Sequence, residues 1–444
     1  MAERVTDIHD VRARIVAELT GQQAPGIPVS DEPFILAAID LAPADTATLD
    51  PEKVIALITS DGGPQAHTAI LARGLGLPAI VAAKGVTDIA DGTIVYVDSN
   101  EGIVDTEPTD ADREAAIKYA NRKPVADFDG QGVLADGTRV ELYANVGDGK
   151  SAEKAASLKA EGVGLLRTEF VFLGHDAEPS IETQAKTYKS VFDAFPGKHI
   201  VVRTLDAGAD KPLPFLNVNP EENPALGVRG FRTDWTVPGV LTRQLEAIKA
   251  ASEDSDADIW VMAPMISTTS EARNFANMLK EIGLPVHGVM VETPAAVMNA
   301  EAILGEVDFV SIGTNDLTQY TMAADRLLGD LAHLNNPWQP AVLKMIKMTI
   351  EGDQRASVTA GKKKYVSVCG EAAADPALAV VLIGLGVDTL SMNAGAIPAV
   401  AAVLKSVTKE KAQQIAAIAL QQISSAEAKE SARKALPILD ELGL

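Results

Sequence analysis

Six short segments in the last two-thirds of this chain carry apolar runs that end in, or lead directly to, a residue able to do chemistry. They are Gly-Val-Gly-Leu-Leu-Arg167, Ile-Val-Val-Arg203, Gly-Val-Met-Val-Glu292, Phe-Val-Ser-Ile-Gly-Thr-Asn315-Asp316, Ala-Ala-Asp-Arg326 just beyond it, and Tyr-Val-Ser-Val-Cys369. Planar guanidinium groups bind phosphate and carboxylate oxygens in pairs. Carboxylates such as Glu292 and Asp316 suit a hard divalent cation. Three arginines, two acids, an amide and a thiol therefore read as a site for a small, doubly anionic, metal-chelated substrate.

The same segments imply the scaffold. Strand-like runs end at Val146, Leu166, Arg203, Ala263, Val291, Ile312, Val368 and Met392, with helical patterns between them. Eight such repeats are the count of a closed (β/α)8 TIM-type barrel, in which strand ends share one mouth. An open doubly wound sheet competes, and the count alone does not separate them. Ahead of the barrel, short strand-like runs ending at Ile39, Ile58, Ala82 and Val97 read as a small α/β domain, with a helical stretch from Thr68 to Arg73. Helical spacing over residues 5–20 precedes it, and a charged helical segment from Asp110 to Arg122 follows. The division expected is a leading helix over 1–30, the small domain over 31–107, a linker over 108–135 and the barrel over 136–444. An Ala-rich amphipathic tail from Lys409 onward is expected to cap the barrel or to form a partner interface.

Bulk properties narrow the classes. The chain has 444 residues, 39 basic against 61 acidic side chains and a net charge of −22. Its field repels nucleic acid and anionic membrane, so an anionic substrate needs a local arginine cluster. The single cysteine excludes an internal disulfide and fits a reducing cytoplasm. The longest apolar stretch, Leu378 to Val387, is too short to span a bilayer. No nucleic-acid or membrane partner is expected, and a cytoplasmic location is.

The sharpest local motif is Asp-Gly-Gly-Pro-Gln-Ala-His67-Thr-Ala-Ile-Leu-Ala-Arg73. Two glycines allow a tight turn, and His67 then falls near a helix start, where backbone N–H groups favour an anion. A neutral imidazole there can attack a phosphoryl group. An isolated histidine in such a place more often only caps or packs a helix. The wider sequence decides against that.

The segment resembles the phosphohistidine motif of phosphoenolpyruvate-utilising enzymes. Gly-Leu-Leu-Arg-Thr-Glu-Phe170, Arg-Thr-Leu-Asp-Ala-Gly-Ala-Asp-Lys-Pro212, Asn-Pro-Ala-Leu-Gly-Val-Arg-Gly-Phe-Arg232, the run from Ser311 to Arg326, and Cys-Gly-Glu371 resemble one branch, Enzyme I of the bacterial sugar phosphotransferase system. The resemblance implies a phosphoenolpyruvate–protein phosphotransferase with a swivelling phosphohistidine domain before a (β/α)8 barrel. It makes Arg167, Arg203, Asn315, Asp316 and Arg326 phosphoenolpyruvate contacts, Glu292 and Asp316 ligands of Mg²⁺, His67 the phosphoryl acceptor and Cys369 the acid that protonates the enolate carbon. Arg229 and Lys211 belong to matching motifs but are weaker candidates, able instead to position the acids. For Cys369 the ordinary alternative is core filling; for the arginines and acids it is structural ion pairing.

The resemblance also implies an HPr-type phosphocarrier protein as partner and a homodimer formed through the barrel. Two features depart from the pattern. Gln65-Ala66 stands where Thr-Ser commonly precedes the histidine, and only the tail of the helical HPr-docking module is recognisable, within residues 1–30. A paralogue serving a nitrogen-related or dihydroxyacetone-linked phosphocarrier, or a non-catalytic phosphoenolpyruvate sensor, would share much of this pattern; the intact chemical residues argue against the sensor. His9, His175, His199 and His333 are expected to be solvated, and His287 structural.

Overall fold

A computed structural model describes residues 77–99, 102–120, 125–207, 213–216 and 221–444, and before them residues 12, 16, 19, 20, 27, 28, 30, 32–41, 49, 50, 53–61, 68 and 72. By its internal contacts the chain divides into Met1–Arg122 with Asp325–His333, and Lys123–Ala324 with Leu334–Leu444. Most of the leading helix, most of the Thr68 to Arg73 helix, and Gln65, Ala66, His67 and Lys211 lie outside the described residues.

In the smaller unit, β1 (Phe34–Ala38), β2 (Val54–Thr59) and β3 (Ala79–Ile80) form a parallel sheet in that order. β4 (Tyr96–Asp98) and β5 (Ile103–Asp105) pair antiparallel. Leu36, Leu41, Val54, Leu57 and Ala72 form its apolar core. Thr68, one residue beyond His67, is buried and donates its hydroxyl to Asp40 Oδ1 at 2.7 Å. The helix Asp110–Ala120 buries none of its side chains, as its charge-rich sequence requires.

The larger unit is a closed, all-parallel barrel. β6 (Glu141–Val146), β7 (Val163–Arg167), β8 (His199–Arg203), β9 (Asp258–Ala263), β10 (His287–Val291), β11 (Phe309–Gly313), β12 (Tyr365–Cys369) and β13 (Thr389–Met392) follow one another around the ring, and β13 pairs back onto β6. The eight predicted strands are all present, and closure excludes the open sheet. Alternation along each strand sorts side chains to two faces. Val202, Val261, Val291, Ile312, Val366 and Val368 point outward into the main core under the helices. Leu165, Val201, Met262, Met290, Phe309 and Cys369 point inward and form a separate cluster.

Well-capped helices hold the strands in place. Asp148 and Thr268 close capping boxes over Gly149–Ser157 and Thr269–Ile282, so donors at both helix starts are satisfied. The apolar helix Pro376–Leu385 is buried on nearly all sides, and the tail helix Lys409–Leu420 lies against it. Their approach is so close that a Cβ on Gly384 would come 2.1 Å from the Ala412 carbonyl oxygen. The tail thus packs on the outer helices. No helix among the described residues is long and apolar enough to cross a membrane.

Candidate functional site

The period of two that sorts apolar side chains also brings chemistry to one mouth. Arg167 closes β7 and Arg203 closes β8, paired in register. Glu292 follows β10. Asn315 and Asp316 open the helix Thr314–Met322 after β11, and Cys369 closes β12, paired with Gly313. Arg326 lies in the Asp325–His333 segment, which groups with the smaller unit.

A buried chain of ion pairs runs across this end. Arg203 Nη2 donates to Glu169 Oε1 at 2.8 Å, and its Nη1 lies 3.5 Å from Asp206 Oδ2. Asp206 takes both Nε and Nη2 of Arg229, at 3.1 and 2.7 Å. Arg229 Nη1 then donates to Asp316 Oδ1 at 2.8 Å and to the Tyr320 hydroxyl at 3.1 Å. Burial alone would weaken the charge on Arg203 and Arg229, but the surrounding carboxylates hold both pKa values above the ordinary arginine range. Arg229 thereby grips Asp206 in a fork and holds Asp316 with its remaining nitrogen, a three-nitrogen arrangement that lysine could not reproduce.

Arg167 behaves differently. Its pKa is lowered, first by burial and then by Arg203 beside it. Among the described residues no hydrogen bond or ion pair reaches its guanidinium. Arg203 Nε is likewise buried with no acceptor. A desolvated cation next to a second one, each with donors to spare, is stabilised by an anionic ligand.

Glu292 is the acidic counterpart. It is 1% exposed, its Oε1 accepts the Met265 N–H at 2.7 Å, and among the described residues no cation pairs with it. Burial, then Asp316, then Asp206 push its pKa up to about 8. Met265 donates from a left-handed backbone, φ 60°, a strained state for methionine of the kind that collects at functional sites. Gly313 leaves the space the carboxylate needs: a Cβ there would sit 2.8 Å from Glu292 Oε2.

Cys369 is 3% exposed, and its Sγ donates to the Ile312 carbonyl at 3.6 Å. Burial raises its pKa from an ordinary value near 9, while Arg203 and Arg167 pull the other way. It is a thiol at neutral pH and holds a proton. Asn315 lies close to Gly370, whose added Cβ would stand 3.4 Å from Asn315 Oδ1.

Several residues that shape the site were not singled out from sequence. Glu169 and Asp206 organise the arginines, and each lies inside a quoted motif, two residues after Arg167 and three after Arg203. An acid so soon after a strand-end arginine was the available signal. Gln244 gave none: it is buried on Val240–Glu253, donates to Thr168 Oγ1 at 3.0 Å and the Tyr188 hydroxyl at 3.1 Å, and accepts the Leu205 N–H at 2.9 Å. It ties the segments after β7 and β8 together. His199 also departs from expectation, being largely buried at the start of β8 against Trp260, 3.8 Å between ring centres, rather than solvated.

A closed parallel barrel with cationic and acidic groups buried at its carboxyl end defines a barrel enzyme for a small anionic substrate. Known sequences agree. Residues 125–409 match the phosphoenolpyruvate-binding domain of phosphoenolpyruvate-utilising enzymes, and residues 30–102 match their mobile domain. A phosphoenolpyruvate-protein phosphotransferase of Streptomyces coelicolor is 47% identical over 98% of this chain and 78% of its own length. Proteins of the same name from Haloferax volcanii and Staphylococcus carnosus are 39% and 38% identical over 97% and 96% of this chain, and 77% and 76% of their own lengths. The chain belongs to the phosphoenolpyruvate-utilising enzymes.

Proposed function

We propose that the chain is a phosphoenolpyruvate–protein phosphotransferase, taking the phosphoryl group onto His67 and passing it to an HPr-type phosphocarrier. The observation that carries this reading is the pair Arg167 and Arg203: two largely, not wholly, buried arginines at adjacent strand ends with unused donors, directly beside a protonated thiol. Such a pair is matched by a small substrate with a phosphate and a carboxylate. Asn315 and Arg326 complete the substrate contacts in this reading.

Glu292 and Asp316 would hold Mg²⁺. The buried carboxylate of Glu292, with no cation partner among the described residues, fits a hard cation, and no cluster of three or more His, Cys, Asp and Glu side chains that could hold a metal occurs among those residues. Mg²⁺ takes one or two carboxylates and completes its shell with substrate oxygens and water. When bound it would neutralise charge on the phosphoryl oxygens. Arg229 holds Asp316 in place, which makes it a positioning residue in this reading.

The reaction balances with the residues at hand. An imidazole nitrogen of His67 bonds to phosphorus as the bond from phosphorus to the enol oxygen breaks, leaving enolpyruvate. Arg167 and Arg203 stabilise charge spread over the phosphoryl and enolate oxygens. The Sγ proton of Cys369 passes to the methylene carbon, giving pyruvate. A homodimer through the barrel belongs to the same proposal.

Radiolabelled phosphoenolpyruvate tests it. Acid-labile, base-stable label on the protein with release of pyruvate is expected, and both should vanish in His67→Ala. Label persisting on that variant would refute the assignment of the acceptor. Binding of phosphoenolpyruvate with neither label nor pyruvate in the unaltered protein would favour a sensor.

A further inference from the structure

The inward face that arms the carboxyl mouth also ends, at the other side of the barrel, in a group of rings. On β12, Cys369 and Tyr365 face the same way, four residues and about 13 Å apart. Tyr365, Trp260, Phe309, His199 and Tyr143 line a cavity of about 240 Å³ at the amino-terminal ends of the strands. Among the described residues Glu141 is its only charged lining residue.

The cavity is held open by construction. Trp260 is the hub, with ring centres 3.8 Å from His199, 4.9 Å from Phe309 and 5.9 Å from Tyr365. Its indole N–H donates to Asp258 Oδ2 at 3.1 Å, and His199 Nδ1 lies 3.0 Å from the same oxygen. One exposed carboxylate therefore orients two of the walls. Register slips on β7 between Val163 and Leu166, and Gly164 in that slip lines the cavity. A Cβ at Gly164 would come 2.5 Å from Ser391, so no side chain fills this stretch of the wall.

The chemistry of the lining selects a charge. Ring faces carry negative potential and attract cations, ammonium groups with methyl substituents above all. Glu141 adds a formal negative charge and Asp258 stands at the same end, while no lysine or arginine among the described residues lines the space. Lys363, paired with Asp388, also places its ammonium 5.2 Å from the ring centre of Tyr365, so a ring of this lining already holds one cation, while Arg139 pairs with Glu161. Pockets for drug-sized ligands run from roughly 300 Å³ upward, so this one suits a smaller guest. The whole chain, at −22, favours cations further.

We propose that this aromatic cavity at the amino-terminal end of the barrel binds a small organic cation of the methylated-ammonium class. Val201 and Phe309 form its inner wall and belong to the apolar layer with Met262, Met290 and Cys369. That layer separates it from the phosphoenolpyruvate-binding end, so the two sites fill independently.

Tetramethylammonium and choline are the probes, titrated into the full chain by calorimetry and by tryptophan fluorescence. Saturable millimolar binding is expected, with 3,3-dimethylbutanol, the uncharged isostere of choline, at least about tenfold weaker because it lacks the attraction of the ring faces. Trp260→Leu should abolish binding. Glu141→Gln, a rim change that spares the fold, should weaken it about tenfold with phosphoenolpyruvate turnover unchanged. Equal binding of the uncharged isostere, insensitivity to Glu141→Gln, or displacement of the probe by phosphoenolpyruvate with Mg²⁺ would each overturn the proposal. So would the absence of any saturable signal.

Discussion

Replacing Arg229 by methionine removes the central cation of the buried carboxylate chain while keeping an unbranched apolar stem. Arg229 is 3% exposed and donates four hydrogen bonds, two to Asp206, one to Asp316 and one to Tyr320. Methionine leaves Asp206 with Arg203 Nη1 at 3.5 Å and takes from Asp316 its 2.8 Å partner. Removing one member of a buried pair costs about 3–5 kcal/mol, because the remaining charge stays desolvated. Here two carboxylates lose one shared partner, partly offset by Arg203, so a loss of about 4 kcal/mol is expected. The penalty should depend on pH in a definite sense. A buried carboxylate deprived of its cation takes up a proton at acid pH, while in the unfolded chain it ionises near its ordinary value of about 4. The unfolded state then gains on the folded one as pH rises, so the variant should fall further behind at pH 8 than at pH 5. Urea denaturation followed by tryptophan fluorescence at both values reads this directly. A difference under about 1 kcal/mol, or one equal at the two pH values, would show that the ion-pair chain is not a coupled unit. Asp206→Asn added to Arg229→Met should recover part of the loss, since the stranded charge is then removed.

Three further outcomes are expected. Cys369→Ala should leave phosphoenolpyruvate affinity near its original value while pyruvate formation falls by at least about 100-fold; equal losses in binding and turnover, measured by calorimetry and a coupled pyruvate assay, would indicate packing alone. Glu292→Gln keeps the shape of a side chain that is only 1% exposed but removes a ligand charge, so about tenfold more Mg²⁺ should be needed for half-maximal turnover, and an unchanged metal titration would exclude Glu292 as a ligand. Asp353, pushed up to about 6 by burial and then by Asp388, stays protonated in the fold after the unfolded chain has ionised, so stability should fall as pH rises from about 4 to 6. Asp353→Asn should flatten that fall in urea titrations at the two ends of the window.

Sequence alone determined the eight strand and helix repeats, because that evidence is local and repeated, whereas their closure into a barrel was decided by the pairing of β13 with β6. Each strand is a short apolar run with a helix pattern behind it, and an inward-facing residue at a strand end has few places to go but the mouth. Arg167, Arg203, Glu292 and Cys369 were legible for that reason, and the long motifs around them identified the family. What the tertiary structure decided was partnership. That Asp206 is shared by two arginines, that Arg229 grips Asp316 across 87 residues of chain, and that Arg167 is left with donors to spare are facts of distance that no spacing encodes. Gln244 shows the same limit: a glutamine on a helix looks solvent-facing until packing buries it against Thr168 and Tyr188. His199, read from its polar neighbours as solvated, and Trp260, inside an apolar strand run, became an aromatic wall only when pairing set the amino-terminal ends of β8 and β9 side by side. Local pattern fixes which face a side chain takes, whereas the burial, pairing and charge of that face arise only when strands distant in sequence meet.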